Sequence, residues 1–269
     1  MKRLNHDQVT RYKEDGLVFP LRLFAAEDAA GLLARLEAIE AARAGRLPPS
    51  LNAKPHLLIP WAWDIVHDPR VLDPVEDLLG PDLLCWATSF IVKNAHDPRY
   101  VAWHQDATYW GLSEPKAVTV WIALTPSTPE NGCVRMLPGT HRAQLPHSDT
   151  RDPKNLLGRR ETVASGIDER FAVDVVLAPG EASLHDALIL HGSNPNGSDG
   201  RRIGFSVRYI PACVRHVGEG RNSATLVRGR DHGTFDLEQR PEGEFAPEAV
   251  ARHAAVLRRA MTTIFTPRA

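Results

Sequence analysis

The chain has 269 residues, 43% hydrophobic and 24% charged, enough to bury roughly 70–75% of the surface its unfolded form exposes, so extensive disorder is excluded. Lys and Arg number 32 against 33 Asp and Glu, a net charge of -1, and with no block of like charges there is no electrostatic footprint for nucleic acid. The opening MKRLNHDQVTRYKEDG has no apolar signal-peptide core and no apolar run reaches the ~18 residues a membrane span needs, so a cytoplasmic monomer or homodimer is expected.

Residues 1–80 read as helical support. Leu32, Leu33, Leu36 and Ile39 keep a helical period between Asp28 and Arg43, with Gly45 as a stop. Val71, Leu72, Val75, Leu78 and Leu79 repeat the pattern up to Gly80. From residue 83 to 210 the chain reads as short strands: LLCWATSFIVK, YVAWHQD, AVTVWIALTP, FAVDVVL, EASLHDALILH and RIGFSVRYI. The turn signals ENG, PGT, PGE and NPNGSDG between them give the texture of an all-β sandwich or barrel. Residues 141–170 carry few strand signals and are expected to run over one mouth of the barrel. Residues 211–269 read as a loop followed by a helix from Pro247 to Phe265, with Val250, Ala254, Leu257, Met261 and Ile264 on one side. Nothing divides the chain, so 1–269 is expected to be a single domain.

Chemistry concentrates at Trp103-His104-Gln105-Asp106. Alternate residues of a strand share a face, so His104 and Asp106 are expected to project together. His191, which ends an apolar run, is placed to supply a third ligand from another strand. Two histidines and one carboxylate leave three open positions on an octahedral metal, the arrangement of non-haem Fe(II) oxygenases. A His-x-Asp pair alone is ordinary, but Arg202 opens the strand beside His191 and offers a planar two-pronged donor to a carboxylate. Ser193 adds a hydroxyl. A dicarboxylate that chelates a metal at its other end needs such partners.

Taken together these residues resemble the phytanoyl-CoA dioxygenase family of Fe(II)- and 2-oxoglutarate-dependent oxygenases. The resemblance runs through KEDGLVF, VEDLLGPDLL, IVKN, WHQDATYW, VTVWIALTPSTPENGCVRMLPGTH and PGEASLHDALILHGSNPNGSDGRR to RYIP. It implies a mainly β fold, a double-stranded β-helix (jelly-roll, cupin-like barrel) over 83–210 with supporting N- and C-terminal helices. It also implies Fe(II) ligation by His104, Asp106 and His191, and contact of Arg202 and Ser193 with the distal carboxylate of 2-oxoglutarate. Lys93 matches a lysine that touches this co-substrate, and Trp121 an aromatic residue that lines its pocket. Halogenating relatives carry Ala or Gly in place of Asp106, so the carboxylate implies hydroxylation or another oxidation without halogen. The implied reaction uses O2 and 2-oxoglutarate to hydroxylate an unactivated C–H bond of a small metabolite, releasing succinate and CO2. A non-catalytic metal- and metabolite-binding jelly-roll, or a metal-dependent hydrolase or isomerase on the same barrel, are the alternatives; retention of the iron ligands together with the arginine speaks against the first, and the second needs no arginine aimed at a dicarboxylate. The ending TPRA, unlike Ser-Lys-Leu, argues against phytanoyl-CoA itself as substrate.

Other residues have plainer expectations. His185-Asp186 are adjacent and point to opposite faces, so they form no second metal pair. His141 is expected to make a structural hydrogen bond in its turn, and Asn131-Gly132 to be a turn. His6, His56, His67, His96, His147, His216, His232 and His253 are assigned to surface or capping roles, and Cys85, Cys133 and Cys213 to small buried apolar positions. Tyr109 and Trp110 fit either the substrate pocket or the core. Gln105 should point away from the ligands. Arg208 shares a face with Arg202 and suits either an acidic substrate or a salt bridge across the sheet. Specificity is expected in the loops 141–170 and 214–245.

Overall fold

The structure is a computed structural model that describes residues 1–158, 160–163, 165–217 and 220–264, with the backbone alone described at Tyr109 and 261–264. Phe265 and the ending TPRA lie outside the described residues, as do residues 159 and 164 of the 141–170 excursion and residues 218 and 219 of the loop 214–245. The side chains of Met261 and Ile264 do as well.

In chain order, α1 (His6–Asp15) leads through β1 (Leu17–Arg22) to α2 (Ala26–Ala41), α3 (Pro60–Val66) and α4 (Pro69–Leu79). The strands β2 (Leu83–Lys93), β3 (Val101–His104), β4 (Val118–Ala123) and β5 (Val134–Leu137) follow. A small hairpin of β6 (His147–Asp149) and β7 (Glu161–Val163) precedes β8 (Val173–Val175), β9 (Glu181–Asp186), β10 (Leu190–Ser193) and β11 (Arg202–Pro211). The chain closes with β12 (Ser223–Arg228), β13 (Asp236–Leu237) and α5 (Pro247–Ile264).

Seven strands form the main sheet in the order β1-β9-β4-β11-β2-β12-β13, and four form the second sheet in the order β3-β10-β5-β8. Pairing is antiparallel except between β12 and β13. Successive strands from β2 to β5, and again from β9 to β11, alternate between the two sheets, which is the jelly-roll winding of a double-stranded β-helix. No helix among the described residues is long and apolar enough to cross a membrane.

The main sheet is two-sided in its chemistry. On β11, Ile203, Phe205, Val207 and Tyr209 join Val118, Val120 and Ile122 of β4 and Ala182 and Leu184 of β9 in one apolar layer. Helix residues Leu36, Ile39, Ile65, Val71, Leu72 and Val75 cover it. The intervening residues Arg202, Ser206, Arg208, Thr119, Trp121 and His185 face the second sheet, where they line a cavity. A side-chain period of two forces this division. Burial of the apolar layer drives the fold, and the polar face comes with it.

The structure corrects several expectations. Residues 1–80 are not wholly helical, because LVFPLR forms β1 and pairs with β9 at the sheet edge. EASLHDALILH is two strands in different sheets, β9 and β10. The Asp186 carboxylate accepts from the Leu188 N–H at 2.8 Å and its carbonyl from the Ile189 N–H at 3.1 Å, a side-chain-capped turn that breaks the apolar run. VRML was not read as a strand yet lies between β10 and β8, and the loop after residue 211 holds β12 and β13. Cys213 is exposed, whereas Cys85 and Cys133 are buried. His56 and His253, assigned to surface or capping roles, are buried.

One packing detail is specific to the inward face. A Cβ at Gly204 would lie 2.1 Å from Cζ2 of Trp121, so the absence of a side chain there makes room for the indole. Gly204→Ala is expected to lower stability by about 1–3 kcal/mol through overpacking. Gly31→Ala, in the middle of α2 with nothing within 4 Å of the new Cβ, is expected to raise it by about 0.5–1 kcal/mol. Urea unfolding of both variants checks the pair of signs.

Candidate active site

His104 ends β3 and His191 lies opposite it on β10, a cross-strand pair whose ring centroids are 4.1 Å apart. The ring Nδ1 of His104 donates to the carbonyl of Ala102 at 2.9 Å, and that of His191 to the carbonyl of Ile189 at 3.0 Å. Each bond places the proton on Nδ1 and leaves the Nε2 lone pair for a metal. Burial, reinforced by the adjacent His104, holds His191 well below the usual histidine range and so keeps it unprotonated.

Asp106 arrives differently from the expectation. The strand stops at His104, and Asp106 begins a 3-10 turn over Asp106–Tyr109. Its Oδ1 nevertheless lies 3.6 Å from Nε2 of His104. One donor atom from each of His104, Asp106 and His191 falls within 4.8 Å of the others, a cluster with the two-histidine, one-carboxylate composition. The other oxygen, Oδ2, is held by Thr119 Oγ1 at 3.4 Å and Arg208 Nε at 3.6 Å. Burial opposes ionisation of Asp106, but the charge of Arg208 outweighs it and holds the carboxyl far below the ordinary range. The cluster therefore offers two imidazole nitrogens and a carboxylate oxygen, a donor set that fits a divalent metal.

Gln105 points away from the ligands, as strand alternation requires. Its amide donates to the carbonyls of Ala143 and Leu188 and accepts from the Leu145 N–H at 2.7 Å. Its backbone N–H donates to Nε2 of His147 at 2.9 Å, so His147 ties the 141–170 excursion to the ligand segment and has no surface role. The excursion then crosses the cavity mouth, where Leu156 and Leu157 line the opening. Asn155 anchors it by accepting from the Ala102 N–H at 3.2 Å.

The cavity has a volume of about 140 Å³ and contains the triad, Trp121, Ser193, Arg202, Arg208 and His185. A larger groove of about 340 Å³ on the helical face, beside Phe24 and Arg35, includes none of these groups. Away from the triad the cavity is cationic. Arg202 and Lys93 are cross-strand partners, 1% and 0% exposed, with no carboxylate among the described residues bonded to either. Arg202 donates through Nη1 to the carbonyl of Gly132 at 2.5 Å, while its buried Nε has no partner among the described residues. Its guanidinium stands 5.5 Å over the Trp121 ring. Lys93 donates to Ser193 Oγ at 2.7 Å and to the carbonyl of Asn194, so it lies behind Ser193 rather than on the cavity wall. Burial, with Arg202 adding repulsion, brings its ammonium down to about 7, and burial brings Arg202 down to about 10. An uncompensated buried cation pair with an orphaned N–H is built for an anion.

Some residues take other roles. Trp110 stacks on Trp86 at 4.8 Å in a separate apolar cluster, and the Tyr109 side chain lies outside the described residues. The turn bond expected of His141 is made by Thr140, whose hydroxyl donates to the carbonyl of Leu137 at 2.6 Å and accepts from the Leu190 N–H at 3.0 Å. Asn131 braces its turn, and Gly132, which follows, supplies the carbonyl that orients Arg202. Sequence reasoning gave no role to Thr119 and only a rejected metal role to His185. The strand register that pairs Thr119 with both Arg208 and His185 carried the missing signal.

The family model for phytanoyl-CoA dioxygenase matches residues 12–204. A solved structure of the apo non-haem monooxygenase ThoJ superposes with a TM-score of 0.86 at 37% identity, covering 96% of this chain and 97% of that one. The ThoJ–Ni complex gives 0.79 at 36% identity, covering 95% and 98%. Ectoine dioxygenase of Bordetella parapertussis is 26% identical over 234 residues, 77% of this chain and 75% of the relative. L-proline trans-4-hydroxylase of Streptomyces griseoviridis is 26% identical over 163 residues, 54% and 61% of the two chains. The matched span holds all three clustered ligands and the buried arginine, and the chain belongs to the phytanoyl-CoA dioxygenase family.

Proposed function

We infer that residues 1–269 form one Fe(II)- and 2-oxoglutarate-dependent dioxygenase domain that hydroxylates an unactivated C–H bond of a small organic metabolite. The observation that carries the reading is Arg202: a buried guanidinium with an orphaned Nε, beside a second buried cation, in the same cavity as the His104–Asp106–His191 cluster. A metal at the cluster and a carboxylate at Arg202 are the two ends of one chelating keto acid. When bound, Fe(II) and 2-oxoglutarate together with O2 supply the oxidant for the C–H bond, and the keto acid leaves as succinate and CO2.

The chain's own residues do the positioning. His104 and His191 hold the metal through Nε2 with their Nδ1 protons locked on main-chain carbonyls. Asp106 would offer Oδ1 to the metal while Thr119 and Arg208 hold its Oδ2. Arg202 and Ser193 orient the distal carboxylate, Lys93 backs Ser193, and the Trp121 indole flanks the guanidinium. Leu156 and Leu157 keep water from the mouth. Asp106 fills the third ligand position, which supports oxygen transfer over halogenation. The small cavity and the relatives named for ectoine and L-proline support a small substrate.

Anaerobic protein given Fe(II) and then 2-oxoglutarate is expected to show a weak visible charge-transfer band that needs both. Tight Fe(II) binding without the band would overturn the reading. Arg202→Ala is expected to weaken 2-oxoglutarate binding by about 30-fold or more, the loss of ~2–3 kcal/mol for a charged buried hydrogen bond, while Fe(II) affinity holds. Asp106→Ala is expected to abolish turnover and lower Fe(II) affinity by at least about tenfold.

Lys93 adds a pH signature. Its folded-state value of about 7 lies below the ordinary 10.5, so between these values the unfolded chain holds a proton that the folded chain does not. Stability of the ligand-free protein is therefore expected to rise as pH climbs through that window. An anion at Arg202 favours the ammonium form, so 2-oxoglutarate binding above pH ~7 takes up protons and weakens as pH rises. Calorimetry at about pH 8 in buffers of different ionisation enthalpy measures the uptake. Lys93→Met is expected to remove it, and an unchanged uptake would assign it to another group.

A further inference from the structure

The co-substrate accounts for one cationic pole of the cavity and leaves a second. Arg202 and Arg208 lie six residues apart on β11, about 20 Å along a strand, and both line the cavity. Arg208 stands at the triad end. Its Nε lies 3.6 Å from Asp106 Oδ2, its Nη1 donates to Ser89 Oγ at 3.2 Å and its guanidinium stands 5.8 Å over the Trp110 ring, while its other Nη makes no hydrogen bond among the described residues. Cross-strand pairing sets Thr119 beside Arg208 and His185 beside Thr119, in one row across three strands. His185 is 2% exposed, its ring lies 5.3 Å from that of His191, and it makes no hydrogen bond among the described residues. A buried imidazole on a cavity wall with neither nitrogen partnered is a site waiting for a polar group.

Charge decides what kind of group. Among the described residues that line the cavity, Asp106 is the one carboxylate, set against Arg202 and Arg208 with Lys93 close behind. The charges of Fe(II) and 2-oxoglutarate cancel, so the loaded cavity keeps at least one uncompensated positive charge. Such a charge is costly to bury unless an anion joins it.

We propose that Arg208 and His185 form the subsite for the primary substrate's own anionic group, a carboxylate, which sets the substrate class as small carboxylic acids. This rests on the dioxygenase reading above. The unpartnered Nη of Arg208 and the N–H of His185 donate to the substrate carboxylate. Thr119 keeps the adjacent Asp106 turned so that the two anions do not compete for one donor. The substrate is thereby held at the triad end of the cavity, away from the Arg202 end that the co-substrate occupies.

The test uses Zn(II)-loaded protein with saturating 2-oxoglutarate, which occupies the Arg202 end, and two probes of near-equal size, propionate and propionamide. Saturation-transfer NMR reads binding of each at constant ionic strength. The expected result is propionate binding at least about tenfold tighter than propionamide. Arg208→Gln and His185→Phe should each remove most of that difference, and Arg208→Lys should restore part of it. Thermal melts and retained 2-oxoglutarate binding identify the variants that fold and load. Equal affinity for the two probes, no propionate binding to the wild type, or a difference that survives in both variants would overturn the proposal. Failure of the wild-type Fe(II) and 2-oxoglutarate band would instead sink the dioxygenase reading, so the two failures are distinguishable.

Discussion

The period-two alternation of β11 is the constraint on which the rest of the structure depends. Ile203, Phe205, Val207 and Tyr209 bind the helical layer, and the residues between them, Arg202, Gly204, Ser206 and Arg208, are delivered to the cavity by the same geometry. A shift of one residue in its pairing with β4 or β2 would bury both arginines among Leu36, Ile65 and Val71, at a cost no site could offset. The register is therefore enforced by the hydrophobic layer, and the position of the anion-binding end relative to the metal ligands follows from it.

The ligands themselves come from the opposite sheet. His104 and His191 are paired across β3 and β10, so their approach is a property of strand pairing rather than of either segment alone. Main-chain carbonyls two residues back fix both rings. Asp106 is the exception, since it stands in a 3-10 turn and is steadied from the main sheet by Thr119 and Arg208. The site is thus closed between two sheets that each contribute part of it, and it is held to the geometry a metal requires by packing that lies elsewhere.

A second polar network does structural work far from the cavity. Lys54 Nζ lies 2.5 Å from Glu238 Oε1, and Glu238 also accepts from Ser223 and Thr225 at 2.7 and 2.8 Å. His56 bridges Thr88 of β2 and Thr225 of β12. Burial works against the Glu238 charge, but Lys54 and His56 outweigh it and hold the carboxyl well below its ordinary range. Every member is satisfied, and the network fastens the segment after β13 to the sheet edge, where few apolar contacts are available. The cationic end of the cavity is the reverse case: Lys93 and Arg202 are buried without an acidic partner among the described residues, an arrangement that costs stability.

Local sequence was sufficient wherever one segment carried its own signal. The helical periods up to Gly45 and Gly80 and the strand 83–93 were legible, because periodicity is a property of a single stretch of chain, whereas Asp106 joins His104 and His191 from a 3-10 turn that strand alternation did not foresee. The break between β9 and β10 was hidden, since the apolar run EASLHDALILH has strand character throughout and one Asp186 turn divides it. β1 was hidden among helices, because an edge strand of six residues carries too weak a period to be seen. Assignment of Arg208 to Asp106, of His147 to Gln105 and of His185 to the cavity wall depended on which strands lie side by side. That is decided by burial of the whole sheet against the helices, a sum over distant residues that no local window contains. The sequence by itself thus determined which residue types are available to the candidate site, and the tertiary structure alone decided which of them stand side by side, because strand pairing is set by burial across the whole sheet.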